Sequence, residues 1–155
     1  MPDVRPELEM LHREHERALA LSERIEALVA EGSDACRAEG VRLVRDYYAQ
    51  ELEAHLQHEE QTMFAPLLKH DKAHFALCMR LGKDHGALRT LATGIHADTP
   101  ADDLDTFARI LRDHTRLEDE EFLPLVASLF TSEEFAAVLN FTPLPTAATG
   151  NGHRR

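Results

Sequence analysis

Tryptophan is absent from this 155-residue chain, and aromatic residues together make up only 6% of it. Cysteine is nearly as scarce. Cys36 and Cys78 are too few for a disulfide framework. No apolar run approaches the roughly 20 residues that a membrane-spanning helix needs. The opening Met1-Pro2-Asp3-Val4-Arg5-Pro6 has no apolar stretch of the kind that directs secretion. These absences predict a cytoplasmic chain with no membrane partner. Positive charge is also short: 17 Lys and Arg stand against 28 Asp and Glu, for a formal net charge of -11. Beyond Arg154–Arg155 there is no basic cluster, which argues against nucleic acid as a partner because phosphate binding needs concentrated cations. A convincing period-two strand pattern is missing as well.

The chain is rich in Leu, Ala, Glu and Arg, which are helix formers. With 43% apolar and 29% charged residues it reads as one globular domain. Apolar residues recur at helical spacing almost throughout. A first helix is predicted from about Glu7 to Glu31, with a seam of Leu8, Leu11, His15, Ala18, Ser22, Ile25 and Val29. A second runs from about Ala35 to Phe64, carrying Val41, Val44, Tyr48, Leu52, His55, Glu59 and Met63, with Pro66 at or near its end. A third, from about Asp71 to His96, carries Leu77, Leu81, His85, Leu88, Ala92 and Ile95. Thr99-Pro100-Ala101-Asp102 reads as a cap for the fourth, with Thr99 as N-cap. That helix extends to about Leu129 through Leu104, Phe107, Leu111, His114, Glu118, Phe122 and Leu125, with Pro124 kinking or ending it. Thr131 caps a short fifth helix to about Asn140. The expectation is an all-α, up-down-up-down four-helix bundle over residues 1–141, with a flexible tail over residues 142–155.

Histidine is the unusual total: His12, His15, His55, His58, His70, His74, His85, His96, His114 and His153. Four of these interrupt the apolar seams of four different helices, and two seams carry a glutamate besides. A buried charge without a partner is expensive. His55-x-x-x-Glu59 and His114-x-x-x-Glu118 each place an imidazole and a carboxylate on one helix face, about 40° apart. Counted from the predicted helix ends at about 1.5 Å per residue, His15, His55 and His114 lie within about 2 Å of one level, and His85 about 6 Å further along. Six imidazole and carboxylate donors without thiolate suit iron or manganese better than structural zinc. Two ions bridged by Glu59 and Glu118 use all six and still react. The bland alternative is a metal-free polar core in which six buried groups pair among themselves.

The chain resembles the hemerythrin-like family, also called HHE cation-binding domains, over roughly residues 7–130. The likeness rests on Glu14-His15, on His55-x-x-x-Glu59-Glu60 followed by Phe64 and Pro66, on Asp84-His85, and on His114-x-x-x-Glu118 followed by Phe122 and Pro124. The resemblance implies two non-haem iron ions, oxo- or hydroxo-bridged when oxidised, with manganese or zinc as substitutes. It implies a small diatomic ligand or peroxide as partner. Oxygen-carrying members have two histidines four apart in the third helix, whereas His85 has Leu81 four before it and Arg89 four after it. One iron is then short of a protein ligand, which turns the expectation from reversible oxygen carriage toward a reactive open position. The carriers also place the fourth-helix carboxylate where Asp119 stands. Glu118 is preferred here because it repeats the spacing of the second helix.

The remaining candidates weigh toward ordinary roles. His12 and His58 read as surface or ligand-supporting residues, and His70, His74, His96 and His153 as solvated. Tyr48 reads as core with its hydroxyl satisfied. Gly82 and Gly86 either admit a small ligand beside His85 or allow close helix packing. Cys36 and Cys78 fall at opposite levels and read as free thiols. Glu14, Asp84 and Glu60 are the acids placed to orient ligand histidines. Three functions stay open: a di-iron protein that binds or reacts with O2, peroxide or nitric oxide; an iron or gas sensor or iron-storage protein without turnover; and a metal-free interaction bundle, with a homodimer as one form.

Overall fold

A computed structural model describes residues 5–145; the predicted flexible tail beyond residue 145, and His153 with it, lies outside the described residues. Helices account for nearly all of them, and there is no strand among the described residues. Helix α1 spans Glu9–Glu31 after a single 3-10 turn at Pro6–Leu8. It stops at Gly32, whose φ of 83° is open to glycine without strain. The Ser33 side chain then caps α2 by accepting from the Cys36 N–H at 3.1 Å. Helix α2 continues without a break over residues 34–70, α3 spans Phe75–Thr93, α4 covers residues 101–129, and α5 is Ser132–Leu139. The Thr131–Glu134 pair forms the capping box of α5.

The predicted boundary at Pro66 is corrected: α2 runs on to His70, whereas α4 passes Pro124 and ends at Leu129 as expected. Each proline follows a π turn, Glu60–Phe64 in α2 and Glu118–Phe122 in α4. A π turn carries one extra residue, so the pyrrolidine ring escapes the carbonyl it would strike in a regular helix. The extra residue also turns the downstream face by about 100°. The buried positions after Phe122 are consequently Leu123 and Val126, and Leu125 is only partly buried. Thr99 is not the N-cap of α4. That place belongs to Pro100, while the buried Thr99 hydroxyl accepts from the His96 N–H at 2.8 Å and so closes the turn before it.

The seams otherwise bury as the periodicity predicts, and they do so in two apolar clusters. One contains Ile25, Val44, Leu52, Leu88, Phe107 and Leu111. The other joins Leu8 and Leu11 at the start of α1, Met63 and Leu67 late in α2, Leu81 early in α3, and Phe122 and Val126 late in α4. Starts thus meet ends, so consecutive long helices run antiparallel. Burial of this apolar area, at about 25 cal/mol per Å², is what holds the four helices in place. Between the two clusters lies a layer that is polar and buried: His15, His55, Glu59, His85, His114 and Glu118, none more than 6% exposed.

Candidate metal centre

Each of the four long helices delivers one histidine to this layer, and α2 and α4 each add the glutamate one turn further on. The imidazole rings form two edge-to-face pairs, His15 with His55 at 5.1 Å between centroids and His85 with His114 at 4.9 Å. The helix ends are ragged, with α3 beginning at Phe75 and α2 reaching His70. Counting from the ends therefore misplaced His85 by several ångströms, yet its ring shares the layer.

The two glutamates divide their oxygens between the pairs. Glu59 sets Oε2 3.0 Å from His55 Nε2 and 3.6 Å from His15 Nε2, and Oε1 3.0 Å from His85 Nε2. Glu118 sets Oε1 3.0 Å from His15 Nε2 and Oε2 3.2 Å from His114 Nε2. Two adjoining four-donor sets result: His15, His55, Glu59 and Glu118, and Glu59, His85, His114 and Glu118, with the donor atoms of each within 4.8 Å of one another. Both glutamates are fully buried.

The opposite ring nitrogen of every histidine meets an acid. His15 Nδ1 lies 2.6 Å from Asp119, His55 Nδ1 2.7 Å from Glu14, His85 Nδ1 2.7 Å from Glu60, and His114 Nδ1 3.2 Å from Asp84. A carboxylate only accepts, so Nδ1 carries the proton in each ring and donates it. Nε2 then faces inward, toward the two glutamates. These four bonds close a circle around the bundle, from α4 to α1, α1 to α2, α2 to α3 and α3 to α4. The sequence basis is plain afterwards: each acid is the chain neighbour of an inward residue, and neighbours on a helix point about 100° apart, toward the next helix. Glu14, Asp84 and Glu60 were anticipated in this role. Asp119 was held as a substitute for Glu118, and it stands instead behind His15, outside both donor sets.

Electrostatics follow from the packing. Burial alone would pull the histidine pKa values down, but the surrounding carboxylates outweigh it. His15 and His85 are raised, and His55 and His114 are raised to about 10. Burial would likewise push Glu59 up, yet His55, His15 and His85 hold it well below the carboxylate range. For Glu60, burial is outweighed by His85 and Arg89, which lower it to about 2. Six carboxylates thus face four imidazoliums and the Arg89 guanidinium in the metal-free layer, and metal cations would take the place of the inward protons.

Arg89 occupies the position four after His85, and it does not enter the layer. Its guanidinium grips Glu60 at 2.7 and 3.0 Å and Glu53 at 2.8 and 3.1 Å. Leu81, four before His85, is buried in the apolar cluster. The expected shortfall on one side is not what the geometry shows: each donor set has two histidines and one oxygen from each glutamate. Tyr48 stays outside too, its hydroxyl donating to Glu53 at 2.8 Å. His12 joins neither set. His58 is buried rather than exposed; its Nε2 pairs with the Val138 carbonyl at 2.7 Å and its ring stacks on Phe141. His70 is paired with Glu134 at 2.6 Å. Both tie α5 to α2, a role that no periodicity signalled. The two cysteines are free, as expected.

Several inward atoms have no hydrogen-bond partner: His15 Nε2, His114 Nε2, Glu59 Oε2 and both oxygens of Glu118. Orphaned buried polar atoms are rare and call for an explanation. These nitrogens and carboxylate oxygens stand about 3 Å apart and need a cation between them, a proton in the metal-free protein or a metal ion, and this donor set fits metal ions. Comparison with known proteins points the same way. The sequence model of the family described as Hemerythrin HHE cation binding domain matches residues 7–126. No curated protein and no solved structure gives a significant match.

Proposed function

The chain belongs to the hemerythrin HHE cation-binding domain family, and from that premise we propose that it holds two non-haem iron ions and binds or reacts with O2, peroxide or nitric oxide. The observation that carries this reading is the division of the Glu59 and Glu118 oxygens between two histidine pairs. His15 and His55 would hold one ion, His85 and His114 the other, and the two glutamates would bridge. Imidazole and carboxylate without thiolate suit iron in this setting. When bound, the metal pair supplies redox and Lewis-acid chemistry toward a small ligand.

The chain's own residues do the rest. Asp119, Glu14, Glu60 and Asp84 hold the imidazole protons at Nδ1, which keeps every Nε2 a donor toward the centre and raises its basicity. The two apolar clusters on either side exclude water and lower the local dielectric. Phe64 packs on His85 at 5.3 Å and on Phe122 at 5.4 Å, closing that side. Four protein donors for each ion would leave room for a small molecule, and nothing larger has space in a layer this buried. The test is turnover or ligand binding by iron-loaded protein, with peroxide and nitric oxide, against a His85→Ala variant. Equal activity of the two proteins would defeat the proposal.

A further inference from the structure

Three lysines are all the chain has: Lys69, Lys72 and Lys83. Lys69 and Lys72 stand at the corner where the end of α2 meets the start of α3, and Lys83 lies further along α3, two residues before His85. Lys69 and Lys72 line a depression with Ala65, Leu68 and Phe75. Lys83 and Arg80 line a second, with Phe75, Met79 and Gly82. Phe75 stands as a ridge between them, 56% exposed, and Met79 beside it is 58% exposed. In a chain with 28 acids, residues 61–83 hold one, Asp71. Arg80 is paired with Asp84 at 3.6 Å, whereas the three lysines have no ion pair among the described residues, so they leave positive charge around an apolar centre on a molecule of net charge -11.

The outer face of α3 extends this patch toward the polar layer. Phe75, Met79, Gly82 and Gly86 follow one helical stripe at spacings of four, three and four. A Cβ at Gly82 or Gly86 would meet nothing within 4 Å. Neither glycine therefore serves packing inside the bundle, although glycine is the poorest helix former after proline. The stripe leaves α3 bare beside His85, about a quarter turn around the helix from its ring.

We infer that this face is the docking surface for an acidic one-electron carrier protein, which approaches the bare α3 backbone next to His85. The inference rests on the redox reading above. Each encounter moves one electron from the carrier, which is oxidised by one equivalent, to the buried centre, which gains it; no bond or proton is exchanged. A small apolar contact rimmed by opposite charges suits the weak, short-lived complexes of such carriers. An anionic membrane fits less well, because the rest of the molecule, at net charge -11, is repelled by it.

The test uses the iron-loaded chain and, as probe, a plant-type two-iron, two-sulfur ferredoxin with an acidic face. Binding is read by calorimetry, and electron transfer by stopped-flow bleaching of the centre's absorption. The triple substitution Lys69→Glu, Lys72→Glu, Lys83→Glu is compared with Arg24→Glu, Arg45→Glu, Arg109→Glu, which changes the net charge equally elsewhere on the exposed surface. The lysine variant is expected to weaken binding and slow reduction by about tenfold or more, the arginine variant much less, and Phe75→Ser to weaken binding without changing iron content. Absence of binding, equal losses in both triple variants, or capture by phosphatidylserine vesicles in place of ferredoxin would overturn the inference. Should iron fail to load, the redox reading falls instead, and calorimetry on the iron-free chain still reports whether the face binds.

Discussion

Substituting Asp119 by Asn separates an orienting acid from a ligand, because Glu118 stands immediately before it. Asp119 accepts from His15 Nδ1 at 2.6 Å and its side chain is 35% exposed, whereas Glu118 is fully buried and faces histidines on both sides. Asn is nearly the same size, so the fold should survive, but its amide can donate to Nδ1 and turn the His15 lone pair away. Loss of one such orienting contact costs about 10–100-fold in metal affinity, or about 1.4–2.7 kcal/mol at 1.36 kcal/mol per decade. Partial solvent screening of Asp119 places the expected value at the lower end. Glu118→Gln removes a buried charge from both donor sets, and the loss should exceed about 3 kcal/mol, more than a hundredfold. Anaerobic chelator competition gives the affinities, and circular dichroism checks that both variants fold. At saturating iron the Asn variant should still bind two ions per chain. Unchanged affinity in Asp119→Asn, or a loss as large as that of Glu118→Gln, would refute the assignment of the two acids.

Other consequences are as direct. His55 and His114 have metal-free pKa values of about 10, raised above the unfolded value, so their contribution to metal-free stability is complete below about pH 6.5 and lost as pH rises through about 10; thermal melts of the metal-free protein across that window should decline, and a flat profile would contradict the paired state. The same raised values mean that metal uptake near neutral pH releases protons and weakens as pH falls; calorimetry in buffers of different ionisation enthalpy measures this, and buffer-independent heats would count against it. Phe107→Ala, in the core away from the polar layer, should cost about 3–5 kcal/mol in denaturant unfolding while the iron stoichiometry is kept. The π turn predicts that Val126→Ala destabilises more than Leu125→Ala although it deletes fewer atoms; the reverse order would restore the regular helical register.

Much of the fold was legible because burial of seams decides it. Leu11, Val44, Leu81 and Phe107 sit where their spacing put them, and so do all six polar residues of the layer. Their identity as a set was readable because histidine on an apolar seam has a cost that one helix can carry by accident and four cannot. The misses have physical causes. Pro66 was taken as the end of its helix, and the π turns that absorb Pro66 and Pro124 leave no trace in a pattern built on 3.6 residues per turn. His58 looked like a surface residue because its partners, the Val138 carbonyl and Phe141, lie some 80 residues away. Arg89 read as the absence of a histidine, and only the assembled helices show it clamping Glu53 and Glu60 behind His85. Asp119 was one residue from a correct role: a bundle turns adjacent acids toward the next helix, and sequence spacing within one helix says nothing of that neighbour.

The central claim is that Glu59 and Glu118 bridge two ions between two histidine pairs. Metal content per chain, measured with an optical spectrum after anaerobic iron loading and brief exposure to air, tests it most directly. The account predicts about two irons per chain and near-ultraviolet absorption from the oxidised pair. One iron, or none, in a folded protein would contradict it.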